Sequence, residues 1–143
     1  MYTFRILEHK SDMLPLWPLL QQLNPNVTEH YLDSVLDDMI AHGYTMITIW
    51  DDDTCMGLSG IWVSTKIYSG KYLEMDNVVI DHNYRSRGIG TLLTDYIIQY
   101  AREKSCATMM LDAYLENDKA HAFYERVGFV RRGYHFIKSL TEQ

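Results

Sequence analysis

Arg85-Ser-Arg-Gly88-Ile-Gly90 sets two glycines one residue apart behind two guanidinium groups. Glycine lacks a Cβ, so the backbone there can turn tightly and another molecule can approach it closely. Glycine also weakens a helix, and a compensating role is expected where two occur together. The apolar run Val78-Val79-Ile80 precedes this stretch and reads as the end of a strand. After it, Leu92, Leu93, Tyr96, Ile97 and Tyr100 recur at helical spacing. A strand that enters a helix through glycines exposes the first N–H groups of that helix, which have no internal acceptor. With the helix dipole these groups attract an anion, so the chemistry suggested is capture of a phosphate or pyrophosphate. Two other phosphate motifs do not fit. A dinucleotide G-x-G-x-x-G would need glycine at Leu93, and a P-loop would need Gly-Lys-Ser/Thr where Gly90 is followed by Thr91 and Leu92.

A second group of residues carries protons. The stretch NDKAHAFYERVG reads as a helix that turns Ala120, Phe123, Tyr124 and Val127 inward and stops at Gly128. Taken alone, Tyr124 reads as a core aromatic on one helix face with Ala120 and Val127. On the run Tyr72–Asp81, strand alternation places Glu74, Asp76, Val78 and Ile80 on one face. Asp112 and Glu116 could bind a cationic group.

Positioning these residues requires a folded core. The 143 residues, 47% hydrophobic and 22% charged, fit one domain spanning 1–143. A formal net charge of −6 opposes nucleic-acid binding and favours cationic ligands such as amines. No apolar run approaches the roughly 20 residues of a membrane span. Arg5, Glu8 and Lys10 occupy the start where a leader would be apolar, so a cytoplasmic protein is expected. Cys55 and Cys106 are far apart and read as structural thiols. The six histidines lack ligand spacing, and no metal site is expected.

The chain divides into strands and helices in the order β-α-α-β-β-β-α-β-α-β, an α/β (α+β) fold with helices on both faces of a mixed sheet. The first strand is YTFRILE. A helix follows, with a break expected at Pro18. The next helix starts at Thr28, ends at Gly43, and turns Leu32, Val35, Leu36, Met39 and Ile40 inward. A strand at 44–50 is followed by a long one at 55–68, bent at Gly57 or Gly60. Further strands lie at 72–81 and 107–115, and FVRRGYHFIKSL is expected to close the sheet.

Taken together, the two motifs resemble the GNAT family of N-acetyltransferases. Arg85-x-x-Gly88-x-Gly90 matches its acyl-CoA signature R/Q-x-x-G-x-G/A, and the segment from Asn117 to Phe129 matches N-x-x-A-x-x-F-Y-x-x-x-G-F. The sequence departs from the family at His82, often Pro, and at Ser86, often Gly; neither change removes a backbone donor. The resemblance implies a mostly antiparallel sheet whose central strand ends in a bulge. Val78, Val79 and Ile80 would hold the pantetheine arm and put an N–H on the thioester carbonyl. Arg85, Ser86, Arg87, Gly88, Ile89, Gly90 and Thr91 would hold the pyrophosphate, and Asn117 and Tyr124 would contact the cofactor.

The implied activity is transfer of acetyl from acetyl-CoA to a primary amine by direct attack, with no metal. Neither cysteine stands in a Cys–His setting that would support an acyl-enzyme. Tyr124 would protonate the leaving thiolate. An alkylamine, with a pKa near ~10.4 like Lys, must lose a proton to a base. Glu74, Asp76 or water is that base. A non-catalytic acyl-CoA-binding module is the alternative. Expected partners are acetyl-CoA and an amine acceptor, with no nucleic acid or membrane and with a homodimer left open.

Overall fold

A computed structural model describes residues 1–141. It falls into two compact units, Met1–Leu111 and Asp112–Gln143.

The first unit is a five-stranded sheet in the order β1-β2-β3-β4-β5. The strands are β1 (Tyr2–Leu7), β2 (Thr45–Asp51), β3 (Thr54–Lys66), β4 (Gly70–Ile80) and β5 (Thr108–Leu111). All neighbours pair antiparallel except β4 and β5, which are parallel. The parallel pair is joined by a crossover through α4 (Ile89–Glu103), as a parallel connection requires.

Between β1 and β2 lie α1 (Lys10–Met13), a 3-10 turn (Leu14–Leu16), α2 (Trp17–Leu23) and α3 (Glu29–Ala41). The break therefore falls around Pro15, not at Pro18. Pro18 sits in the first turn of α2, where its missing N–H has no helical acceptor to lose. Thr28 caps α3 as expected, its Oγ1 accepting from the Tyr31 N–H at 3.0 Å. Thr28→Ala is expected to lower stability by about 1 kcal/mol in urea unfolding and leave ligand binding unchanged.

Alternation puts a core on each face of the sheet. Leu7, Met46, Leu58 and Val79 pack with Met13, Leu16, Leu20, Leu32 and Leu36 from α1 to α3. Ile47, Ile49, Ile61, Leu73 and Met75, of opposite parity, are also buried. Phe4 pairs with Ile49, and its ring stacks on Tyr96 of α4 at 4.2 Å, which assigns this second face to α4. The inward stripe of α4 is Ile89, Leu93, Thr94, Ile97 and Ala101, while Leu92 is exposed.

In the second unit, α5 (Asp118–Arg126) is capped by Asn117, whose Oδ1 accepts from the Ala120 N–H at 3.1 Å. Gly128, at φ +104°, terminates it, and the Phe129 N–H returns to the Tyr124 carbonyl at 2.9 Å. The closing strand expected of FVRRGYHFIKSL is not formed: residues 129–140 have no ladder pairing. Alternation marks two faces but supplies no partner, and a strand exists only where a neighbouring backbone completes its hydrogen bonds. Gly133 also interrupts the run, and Val130, Phe136, Ile137 and Leu140 are exposed.

Candidate active site

The irregular end of β4 is the first component. Asp76 pairs with Gly60 and Val79 with Leu58, so Asn77 and Val78 stand opposite Ser59 alone. This is a bulge, and Asn77 accommodates it at φ +53°, a left-handed conformation that Asn tolerates better than most residues. The bulge corrects the simple alternation. Residues paired across strands share a face. Glu74, Asp76 and Val79 therefore lie on one face with Trp62, Gly60 and Leu58, whereas Ile80, paired with Gly57, lies on the α4 side. The two carboxylates stay together, and Val78 and Ile80 leave their face.

β5 pairs with β4 only from Tyr72 to Met75. Beyond that point no strand among the described residues pairs with Asp76–Ile80 on the β5 side. Backbone groups of Val78, Val79 and Ile80 are thus placed at a bulged strand end, an arrangement that leaves ladder donors for an extended ligand.

Several side chains fix the bulge. Trp62 Nε1 donates to Asp76 Oδ2 at 3.0 Å. The Tyr44 ring contacts Trp62 at 5.0 Å and lies across Gly60, where a Cβ would strike the Tyr44 hydroxyl. Burial raises the Tyr44 phenol well above its ordinary pKa; the charge of Asp76 adds to this, and a hydrogen bond with the Asn77 side chain opposes it. Tyr44 is therefore a neutral phenol held beside the bulge. Asn77, Tyr44 and Trp62 were not singled out from the sequence. The signal available was Asp76-Asn77, a pair of poor strand formers inside an otherwise apolar strand.

The second component is the turn into α4. Asp81 Oδ1 accepts from the Asn83 N–H at 3.0 Å and starts a short 3-10 turn, His82–Tyr84. Arg85 Nε returns to the Ile80 carbonyl at 3.2 Å, tying the loop to the end of β4. Arg87 lies 5.6 Å from the Tyr84 ring centre. Ser86 and Gly88 both have positive φ, +65° and +76°. Gly88 is the N-cap of α4 and has no side-chain cap. The first intrahelical bond at this end is Leu92 N–H to Gly88 C=O at 3.1 Å, so Ile89, Gly90 and Thr91 precede it with N–H groups pointing out of the helix. No acidic residue lies in this first turn, and nothing lies within 4 Å of a Cβ built on Gly88. An open, uncapped helix end flanked by Arg85 and Arg87 suits a pyrophosphate.

Gly88→Glu would add a left-handed strain and a negative charge to this loop. Acetyl-CoA affinity by calorimetry is expected to fall at least tenfold, about 1.4 kcal/mol. Unchanged affinity in the folded variant would exclude the loop as the binding site.

On α5, Tyr124 is half-buried, 5.3 Å from the Phe123 ring and 5.8 Å from that of Phe129. Burial pushes its phenol up to about 12, so it retains its proton at neutral pH. The Asn117 oxygen is engaged in the helix cap, so the side-chain nitrogen is the group it offers a ligand. Asp112 and Glu116 are exposed, and Asp112 Oδ2 lies 3.7 Å from His135 Nδ1. Burial raises the Cys55 thiol to about 11, which makes it a poor nucleophile. Among the described residues there is no cluster of three metal-ligating side chains, and no helix is long and apolar enough to cross a membrane.

The chain resembles an uncharacterized N-acetyltransferase of Bacillus subtilis, with 25% identity over 140 residues, covering 96% of this chain and 99% of that protein. A probable glucosamine 6-phosphate N-acetyltransferase of Oryza sativa is 26% identical over 125 residues, covering 80% of this chain and 74% of the other. The solved structure of AAC(6')-Iy, in complex with the bisubstrate analog CoA-S-monomethyl-acetylneamine, has the same fold, with a TM-score of 0.80 at 16% identity over 97% of this chain and 99% of that one. The model of the Acetyltransferase (GNAT) family, whose members use acetyl-CoA as co-substrate, matches residues 12–129, a span that holds the β4 bulge, the open N-terminus of α4 and the Tyr124 helix. The chain belongs to the GNAT family of acetyltransferases.

Proposed function

We propose that this chain transfers acetyl from acetyl-CoA to a primary amine by direct attack in a ternary complex. The observation that carries this reading is the bulge at Asn77–Val78, joined through Arg85 to an open helix N-terminus. One feature offers backbone donors to a thioester arm and the other to a pyrophosphate, and the two lie in sequence along one strand and loop. Residues 1–143 act as one domain in this scheme, a view supported by a family match that runs through both units.

Arg85, Ser86, Arg87, Gly88, Ile89, Gly90 and Thr91 bind the pyrophosphate. Val78, Val79 and Ile80 bind the pantetheine arm, and an N–H from the bulged run polarises the thioester carbonyl. Such a donor stabilises negative charge developing on that oxygen. Asn117 contacts the arm. Glu74, or Asp76 two residues on, takes the proton of the attacking amine. The C–N bond forms, the C–S bond breaks, and Tyr124 gives its proton to the departing thiolate. A phenol with a pKa pushed up to about 12 is protonated at the start of each cycle, as this role requires.

Released thiol, measured with acetyl-CoA and a panel of amines, tests the proposal. Amine-dependent release supports it. Tight binding of acetyl-CoA with no release from any amine would identify a binding module instead.

A further inference from the structure

We infer that the groove between α2, α3 and β4 selects primary amines carried on an uncharged, apolar body. This rests on the transfer reaction proposed above and names its acceptor class. The groove encloses about 430 Å³ and lies entirely in the first unit. That is within the range of pockets that hold small ligands, roughly 300–1,000 Å³. Leu23, Val27, Val35 and Met39 form apolar walls. Asn24, Tyr31, Tyr44 and Asn77 supply the polar atoms, and none of the ten lining residues is Lys, Arg, His, Asp or Glu.

The charge pattern defines the ligand. A phosphorylated amine would lose the hydration of its phosphate with no cation in the groove to replace it, and a polyamine would do the same with its distal ammonium groups. An aliphatic or aromatic body loses no such hydration and covers Leu23 and Tyr31, which are 46% and 56% exposed at the rim. Asn77, the residue that makes the bulge, is part of the groove's lining, so an apolar body seated against Val35 can bring its amino group to the strand end proposed to hold the thioester. Tyr44, a neutral phenol bonded to the Asn77 side chain, lines the groove beside it without adding charge.

The test uses three probes: 2-phenylethylamine, glucosamine 6-phosphate and spermidine. Each is titrated calorimetrically into the CoA-saturated protein and assayed for thiol release from acetyl-CoA. The expected result is binding of 2-phenylethylamine, with kcat/KM at least roughly tenfold above either amine whose body carries a further charge. Leu23→Lys, a change at an exposed position, should raise its KM and Kd roughly tenfold and leave acetyl-CoA affinity unchanged. Preference for an amine with a charged body, or an unchanged Kd in Leu23→Lys, overturns the inference and leaves the transfer reaction intact. Binding of 2-phenylethylamine that Leu23→Lys weakens, with no thiol release from any amine, overturns the transfer reaction and retains the groove's selectivity.

Discussion

Glu74→Gln is expected to lower kcat/KM for the acceptor amine by roughly 10²–10⁴-fold, the contribution of a positioned general base. Glutamine keeps the shape of the side chain and cannot take a proton. Glu74 is half-buried opposite Trp62, on the face that also carries Asp76. Asp76→Asn is the paired control. Its carboxylate accepts a hydrogen bond from Trp62 Nε1, which the amide oxygen of Asn can still accept without charge assistance, so Tm should fall only slightly. If Asp76→Asn alone lowers kcat/KM to this extent, the base is two residues further along the same face.

Tyr124→Phe should lower kcat by roughly 10²-fold or more while acetyl-CoA affinity changes little. The ring contacts with Phe123 and Phe129 survive the substitution, so Tm should stay near the wild-type value. A phenol that served only packing would behave oppositely: about 1 kcal/mol of stability lost if its hydroxyl is bonded, with turnover intact. The pH profile adds a second readout. A general acid must be protonated, and burial has moved this phenol from near 10 up to about 12. The wild-type rate should therefore hold through pH 10, with any decline due to Tyr124 appearing only near its raised value. An acyl donor with a more acidic thiol should partly restore the Phe variant, since a better leaving group needs less protonation.

Periodicity and capping residues made most of this fold readable in advance. Thr28 and Gly43 bracket α3, and Gly128 ends α5, because caps and stops are local chemistry that a short window contains. Gly88 was legible for the same reason: a left-handed N-cap between a strand and a helix calls for a residue without Cβ. Features that depend on distant partners were less visible. The parity switch at Asn77 follows from Ser59 on the neighbouring strand, which a reading of β4 alone does not include. Tyr44 reads as one more aromatic at a strand start until Gly60 makes room for its ring. Pro15 and Pro18 both announced an irregular helix, yet only packing of Met13, Leu16 and Leu20 into one core decided where it broke. FVRRGYHFIKSL shows the converse, since its alternation specifies a strand that finds no ladder.

The central claim is that the acetyl group passes directly from acetyl-CoA, held at the β4 bulge and α4 cradle, to an amine. The most direct measurement is initial-velocity kinetics with both substrates varied, with the N-acetylated amine and free CoA quantified by mass spectrometry. Direct transfer gives equal amounts of the two products, intersecting reciprocal plots, and no acetylated form of the protein on the reaction path. Parallel plots with an acetyl group trapped on a protein side chain would contradict direct transfer.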